Sequence, residues 1–142
     1  LIKKKPFLKE LLETLTRELP VKQFLTVDYL EQNLSEDENT CRNPIWHVDG
    51  QGNEYLLVCW GEYRTKFTNY QVSLGDKRVE NMKIIKEIAK QAEAASFEVA
   101  EGELIRYNSH SLHRGREVHH NTRRVFLRLC SSDYLSPKNK IF

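Results

Sequence analysis

Residues 123–130, Arg-Arg-Val-Phe-Leu-Arg-Leu-Cys, decide the fold because their side chains alternate in character. In a β-strand, successive side chains point to opposite faces of the sheet. One face then carries the aliphatic residues Val125, Leu127 and Leu129, which can pack against helices. The other face carries Arg124, Phe126 and Arg128. Two arginines on a buried face cost free energy unless anions meet them, so this strand indicates an interior that holds a ligand carboxylate.

Outward from this strand, the sequence predicts several short strands and two helices. A leucine stripe predicts a helix over 6–19, with Pro6 in its first turn and Pro20 as its end, and residues 79–95 predict a second helix. Phe24–Leu34 fits either a helix or a strand. Strands are predicted at 45–48, 55–60, 64–70, 96–100, 104–108, 112–113 and 124–130. This order indicates a mainly β barrel or sandwich with supporting helices.

The length of 142 residues is that of a single domain with one substantial core. The sequence has no internal repeat, no low-complexity tract and no sign of a second domain. We expect residues 1–34 to form an N-terminal helical support. Residues 44–134 are expected to form the β core, with the helix at about 79–95 inserted into it.

Composition favours a compact cytoplasmic protein. The net charge is only +2, and the cluster Lys3-Lys4-Lys5 is expected to be a solvated terminus, so nucleic acid is not indicated as a partner. The three cysteines, Cys41, Cys59 and Cys130, form no CxxC pair. Cys59 and Cys130 lie in apolar runs and are expected to be buried thiols, and the pattern favours a reducing compartment. No apolar run has membrane-spanning length, and the N-terminus lacks a signal-peptide core.

Two histidines and one carboxylate form the candidate chemical centre. His47 and Asp49 lie two residues apart, so in an extended chain both project to the same side; His113 precedes the arginine strand. Such a set, with no cysteine nearby, holds non-haem Fe(II) on one face and leaves coordination positions open. Taken singly, His47 could be a structural histidine, and Asp49 before Gly50 could open a turn. The residue order, the strand context and the arginines favour the metal site.

The same residues resemble the Fe(II)/2-oxoglutarate-dependent dioxygenase superfamily. The resemblance is carried by His47-Val48-Asp49, by Gly-Glu-Leu-Ile-Arg-Tyr-Asn-Ser-x-x-Leu-His-Arg-Gly at 102–115, and by Arg-Val-Phe-Leu-Arg at 124–128. It covers roughly residues 45–130. It implies a double-stranded β-helix (jelly-roll) core with His47, Asp49 and His113 as the Fe(II) ligands. It also implies that an arginine of the last core strand pairs with the C5 carboxylate of 2-oxoglutarate.

Two arginines compete for that carboxylate. Arg124 has the favoured spacing from His113 and lies on the inward face. Arg128 lies further along the same face and is the alternative, although it could instead meet an acidic substrate. Arg123 is expected to face outward. The candidate secondary hydrogen-bond donors are Tyr55, Thr65 and Tyr107, with Arg64 weaker, and for the two tyrosines core packing is the competing interpretation.

The resemblance implies a hydroxylase that uses 2-oxoglutarate and O2 and releases succinate and CO2. A carboxylate at Asp49 argues against a halogenase, in which a halide needs that position. The substrate, whether a small molecule or a protein, does not follow from the sequence. One alternative is a cupin-like jelly roll that binds a metal or a small molecule without oxygenase activity. Another is an interaction scaffold in which the three residues are incidental.

Overall fold

The computed structural model describes residues 7–41, 44–50 and 52–135. Along these residues the elements are α1 (Phe7–Thr16), β1 (Phe24–Leu34), β2 (Glu54–Gly61), β3 (Lys66–Thr68), α2 (Arg78–Glu87), α3 (Ala89–Ala94), β4 (Ser96–Glu98), β5 (Ile105–Asn108), β6 (His113–Arg114) and β7 (Thr122–Ser132). The expectation of a mainly β protein with supporting helices is confirmed. The basic cluster Lys3-Lys4-Lys5 lies outside the described residues. No helix in the described ranges is long and apolar enough to cross a membrane.

The strands form two antiparallel sheets. The larger sheet has the order β1-β7-β2-β5, and the smaller has the order β4-β3-β6. An isolated bridge between His47 and His113 adds one more segment beside β6. The sheets pack face to face, since Phe67 of β3 lies edge-on to Tyr107 of β5 with ring centroids 5.0 Å apart. The space between the sheets is therefore the interior into which strand side chains point.

The outer face of the larger sheet is covered by α1. Leu127 and Leu129 of β7 are fully buried against Leu8, Leu12 and Leu15 of this helix and Leu19 just after it. Each such side chain contributes about 1.5–3 kcal/mol when it leaves water. The expected alternation of β7 is confirmed on this face. The helix itself ends at Thr16, because the next three amides donate to carbonyls three residues back and tighten the chain before Pro20.

The ambiguous segment Phe24–Leu34 is strand β1. It pairs with β7 along its whole length, from Phe24 opposite Ser132 to Leu34 opposite Thr122. The prediction that residues 1–34 form a helical support is therefore wrong for β1, and among the described residues of this segment only α1 is helical. Backbone pairing with β7 outweighs the weak local preference of this segment, because tertiary context overrides propensity.

The segment expected as one helix at 79–95 consists of two helices. Ile88, with φ −98° and ψ 8°, separates α2 from α3. Ile85 and Ala92 pack with Trp46 in a small core cluster of their own. The predicted strand at 45–48 is absent except for the bridge at His47.

Candidate metal centre

The three predicted ligands lie together where the bridge joins the smaller sheet. His47 and His113 exchange two backbone hydrogen bonds of 3.0 Å, and their ring centroids are 4.5 Å apart. Asp49 Oδ2 is 3.1 Å from His113 Nε2, and Asp49 Oδ1 is 3.8 Å from His47 Nε2. One possible ligand atom from each residue lies within 4.8 Å of the other two. The arrangement can hold a metal ion.

Backbone contacts orient both imidazole rings. His47 Nδ1 lies 2.7 Å from the carbonyl oxygen of Ile45, and His113 Nδ1 lies 2.9 Å from that of Ser111. A carbonyl oxygen only accepts, so each Nδ1 carries a proton and donates it. In the neutral ring the lone pair is then on Nε2, the atom that faces Asp49. This is the carbonyl-supported geometry of metal-ligating histidines.

The electrostatics of the three residues suit a cation. Burial, followed by the neighbouring His113, lowers the pKa of His47, so this ring is neutral near neutral pH. Burial alone would raise the pKa of Asp49, but the contact with His113 and the charge of Arg128 hold it well below its usual range. A carboxylate oxygen and a ring nitrogen with a lone pair cannot face each other at 3.1 Å without a positive charge between them. A metal ion or an added proton supplies that charge.

Arg128 is already paired with carboxylates. Its Nε and Nη2 donate to Asp28 Oδ2 at 2.9 and 2.7 Å, and its Nη1 donates to Asp49 Oδ2 at 2.6 Å. The guanidinium also lies 5.3 Å from the ring centre of Tyr55. Arg128 therefore orients Asp49, one of the candidate metal ligands, and partly neutralises its negative charge.

Arg124 lies on the same face of β7 in a different environment. It is only 2% exposed, and its guanidinium donates to Gln32 Oε1 at 2.7 Å, to the Thr40 carbonyl at 3.1 Å and to Thr65 Oγ1 at 3.2 Å. Within the described part of the chain, no carboxylate lies within 4.0 Å of it, and its Nε has no partner. This is a buried positive charge with neutral neighbours only.

The two candidate tyrosines stack on each other between the sheets. The ring centroids of Tyr55 and Tyr107 are 4.7 Å apart at an angle of 14°. The Tyr107 hydroxyl is 3.5 Å from Arg128 Nη1, and the Tyr55 hydroxyl accepts from Asn53 Nδ2 at 3.1 Å. Burial is the main cause that raises the pKa of both phenols above the usual value, so both remain protonated. They pack beside the arginine while keeping polar contacts.

A cleft of about 850 Å³ lies beside two of the candidate ligands, His47 and Asp49. Its wall includes His47 and Asp49 on one side and Arg78 and Met82 of α2 on the other. The exposed His110 also lines it. A volume of this size accommodates a small molecule or a segment of a larger one.

Sequence reasoning missed the acceptors that hold the arginines. Asp28 and Gln32 lie opposite Arg128 and Arg124 across the β1–β7 ladder. The polar side chains of Asp28 and Gln32 were the available signal. Only the assignment of residues 24–34 to a strand would have placed them opposite the arginines. Among the expected residues, Arg123 faces outward and pairs with Glu31 at 3.3 Å. Arg64 binds backbone carbonyls and Glu98 instead of the site.

No protein-family model, curated protein or solved structure matches the chain. The chemistry of the site follows from its donor set. Two imidazole nitrogens and one carboxylate are a donor set that would suit a divalent transition metal. Of the two inward arginines, Arg124 is the one without a carboxylate partner among the described residues.

Proposed function

We propose that the protein is an Fe(II)- and 2-oxoglutarate-dependent oxygenase, a hydroxylase, with a jelly-roll core. The observation that carries the proposal is the pairing of two features in one interior. One is the set of two Nε2 atoms and a carboxylate around a common point. The other is the buried Arg124, whose charge has no carboxylate partner in the described ranges and whose Nε has no acceptor.

The strand orders support the jelly-roll assignment. Four strands of the larger sheet, three of the smaller and the bridge at His47 give eight strand segments, and a second isolated bridge joins Asn39 and Glu117. Eight strands in two sheets is the count of a jelly roll. From β4 onward, each next strand of the chain crosses to the opposite sheet. It places β6 in the smaller sheet, where His113 pairs with the bridge residue His47.

The residues divide the work of the proposed reaction. His47, Asp49 and His113 would hold Fe(II), while Arg124 and Thr65 would hold the far carboxylate of 2-oxoglutarate by two charge-assisted hydrogen bonds. Arg128 keeps Asp49 ionised and oriented, and the stacked Tyr55 and Tyr107 exclude water from this side of the interior. When bound, iron with 2-oxoglutarate and O2 supplies the oxidising power for hydroxylation, with succinate and CO2 as products. The cleft above the ligands admits the substrate.

One observation favours the cupin-like alternative, a metal-binding jelly roll without oxygenase activity. Several donors of Arg124 are already satisfied by protein groups, including the Thr40 carbonyl and Cys59 Sγ. An arginine used in this way can stabilise the contact between β7 and its neighbours without any anion. The two functions therefore differ in whether 2-oxoglutarate needs Arg124.

Anaerobic calorimetric titration tests the proposal. Mn(II), as a redox-inert substitute for Fe(II), should bind first, and 2-oxoglutarate should then bind to the Mn(II)-loaded protein. Arg124→Met should lower the affinity for 2-oxoglutarate by about 100-fold, as expected for the loss of a charge-assisted pair of 2–5 kcal/mol. Mn(II) should still bind to this variant. Arg124→Lys covers the case in which the methionine variant fails to fold.

Arg123→Met is the matched control, because Arg123 is the exposed neighbour on the opposite face. It should leave both titrations unchanged. Binding of Mn(II) without 2-oxoglutarate at millimolar concentration would favour the cupin-like function. Binding of neither molecule would overturn both.

A further inference from the structure

A second groove, of about 610 Å³, runs along the outer face of α2. Its apolar lining consists of Ile45, Trp46, Val79, Met82, Ile85 and Ala89. Val79 is 70% exposed and Ile45 is 54% exposed. Apolar side chains grouped on a surface in this way mark an interaction site more often than scattered ones do.

The groove has a positive rim. Arg78, Lys83 and Lys86 are exposed and line it, and none of its described lining residues is acidic. Lys77, just outside, pairs with Glu80 at 3.4 Å. Of the described carboxylates, none lies within 4.0 Å of Lys83 or Lys86, so these two charges are available to a partner.

The groove is continuous with the cleft over the metal centre. Arg78, Met82 and Ile85 line both spaces. Ile45 forms part of the groove, and its carbonyl oxygen accepts the hydrogen bond that orients His47. A molecule that lies along α2 therefore reaches the open side of the candidate ligands.

We propose that this groove binds an acidic polypeptide segment of a protein substrate, with apolar side chains on the groove floor and carboxylates on the lysine rim. The inference rests on the proposed oxygenase function and adds a substrate class to it. Bound in this way, the segment extends into the cleft and presents a neighbouring residue to the metal centre.

The dimensions suit an extended peptide. From Arg78 to Lys86 the helix axis advances about 12 Å, the length of about four residues in extended conformation. Alternate side chains of such a segment would point to the floor and to the rim. Together the cleft and the groove exceed the space that a single small molecule usually fills, about 300–1,000 Å³.

Two other anionic partners fit less well. Single-stranded nucleic acid needs aromatic faces for base stacking, and Trp46, the one aromatic residue among the described lining, is only 6% exposed. A fatty acid would need an enclosed tunnel that buries most of its surface, whereas Val79 and Ile45 leave the groove open to solvent.

Fluorescence anisotropy with labelled peptides tests the proposal. Three short synthetic peptides share alternating leucines and differ only in the intervening residues, which are glutamate, lysine or glutamine. The glutamate peptide should bind most tightly, and its affinity should fall as salt screens the rim. Lys83→Glu with Lys86→Glu should weaken it by at least about ten-fold, and Val79→Ser should weaken it without changing the salt dependence.

The charge-matched control is Lys9→Glu with Lys90→Glu, which makes the same change in net charge at exposed sites outside the groove. It should bind the glutamate peptide as the wild type does. Equal affinity for all three peptides, no binding, or equal loss in both double variants would overturn the inference. Tighter binding of an oligothymidylate or of oleate, tested in the same assay, would overturn it too.

Titrations of the wild-type protein with Mn(II) and 2-oxoglutarate separate this inference from the proposed function. If Mn(II) and 2-oxoglutarate both bind but the peptide does not, only the proposed substrate class is wrong. If the peptide binds but neither Mn(II) nor 2-oxoglutarate does, the proposed oxygenase function is wrong, and the bound peptide is not a substrate of such an enzyme.

Discussion

Arg124 and Arg128 occupy the same face of one strand, four residues apart, yet their surroundings are opposite. Arg128 contacts two carboxylates, those of Asp28 and Asp49. Arg124 is more deeply buried and contacts only neutral acceptors among the described residues. A buried charge with no opposite charge is costly. The difference shows that two arginines on one face of a strand can have different partners, since of these two only Arg124 lacks a carboxylate among the described residues.

Leu127, between the two arginines on the opposite face, gives the largest expected change in stability. It is fully buried against α1, so Leu127→Ala should lower the free energy of unfolding by about 3 kcal/mol through lost burial and a cavity. Urea denaturation measures this. Titrations of the folded variant should give wild-type affinity for Mn(II), which separates stability from site chemistry. A change in Mn(II) affinity would show that the two faces of β7 are coupled.

Asp49→Asn should weaken Mn(II) binding by more than about 100-fold, because it removes an anionic ligand, an effect beyond the 10–100-fold typical of an outer contact. Isothermal calorimetry without oxygen measures the affinity. Asp28→Asn is the matched control, since it makes the same change on the other carboxylate that Arg128 contacts. Asp28→Asn should lower the Mn(II) affinity by no more than about ten-fold. Equal losses would place the metal elsewhere.

Arg128→Met should lower the free energy of unfolding in the absence of metal by about 2 kcal/mol. Its removal leaves two carboxylates without their partner, and the cost is below the 3–5 kcal/mol of a fully buried pair because these groups are partly exposed. Saturating Mn(II) should restore part of the loss by neutralising Asp49. Thermal melts with and without Mn(II) test this, and Arg124→Met should show no such restoration.

Tyr107→Phe is expected to have the smallest effect. The hydroxyl lies 3.5 Å from Arg128 Nη1, at the limit of a hydrogen bond, so its loss should cost less than about 1 kcal/mol in unfolding free energy. The affinities for Mn(II) and 2-oxoglutarate should remain within about three-fold of wild type. A larger fall in 2-oxoglutarate affinity would show that the phenol itself contacts the cosubstrate.

The parts of the structure that sequence predicted best depend on short-range periodicity. The period of two in β7 placed Leu127 and Leu129 on the helix side, and both are fully buried there. The candidate ligands His47, Asp49 and His113 also come together as expected. Local alternation carries enough information for β7 and for the spacing of His47 and Asp49, whereas the approach of the distant His113 was expected from the residue order and the family resemblance.

The parts that sequence did not predict depend on pairing between distant segments. Asp28 reaches Arg128 only because β1 pairs with β7 in one register, and the residues of 24–34 do not encode that register locally. The break at Ile88 between α2 and α3 could not be predicted from the sequence, because no proline or glycine lies near it. His47 is oriented by a bridge to β6 rather than by a strand of its own.

The reciprocal backbone bonds between His47 and His113 have a consequence for folding. Asp49 and His113 are 64 positions apart in the chain, and strands β2 to β5 lie between them in sequence. Closing so long a loop has an entropic cost that is recovered only when β2 through β6 are in place. The candidate metal site therefore forms only after this loop has closed, and metal binding during refolding is expected to report that closure rather than an early local structure.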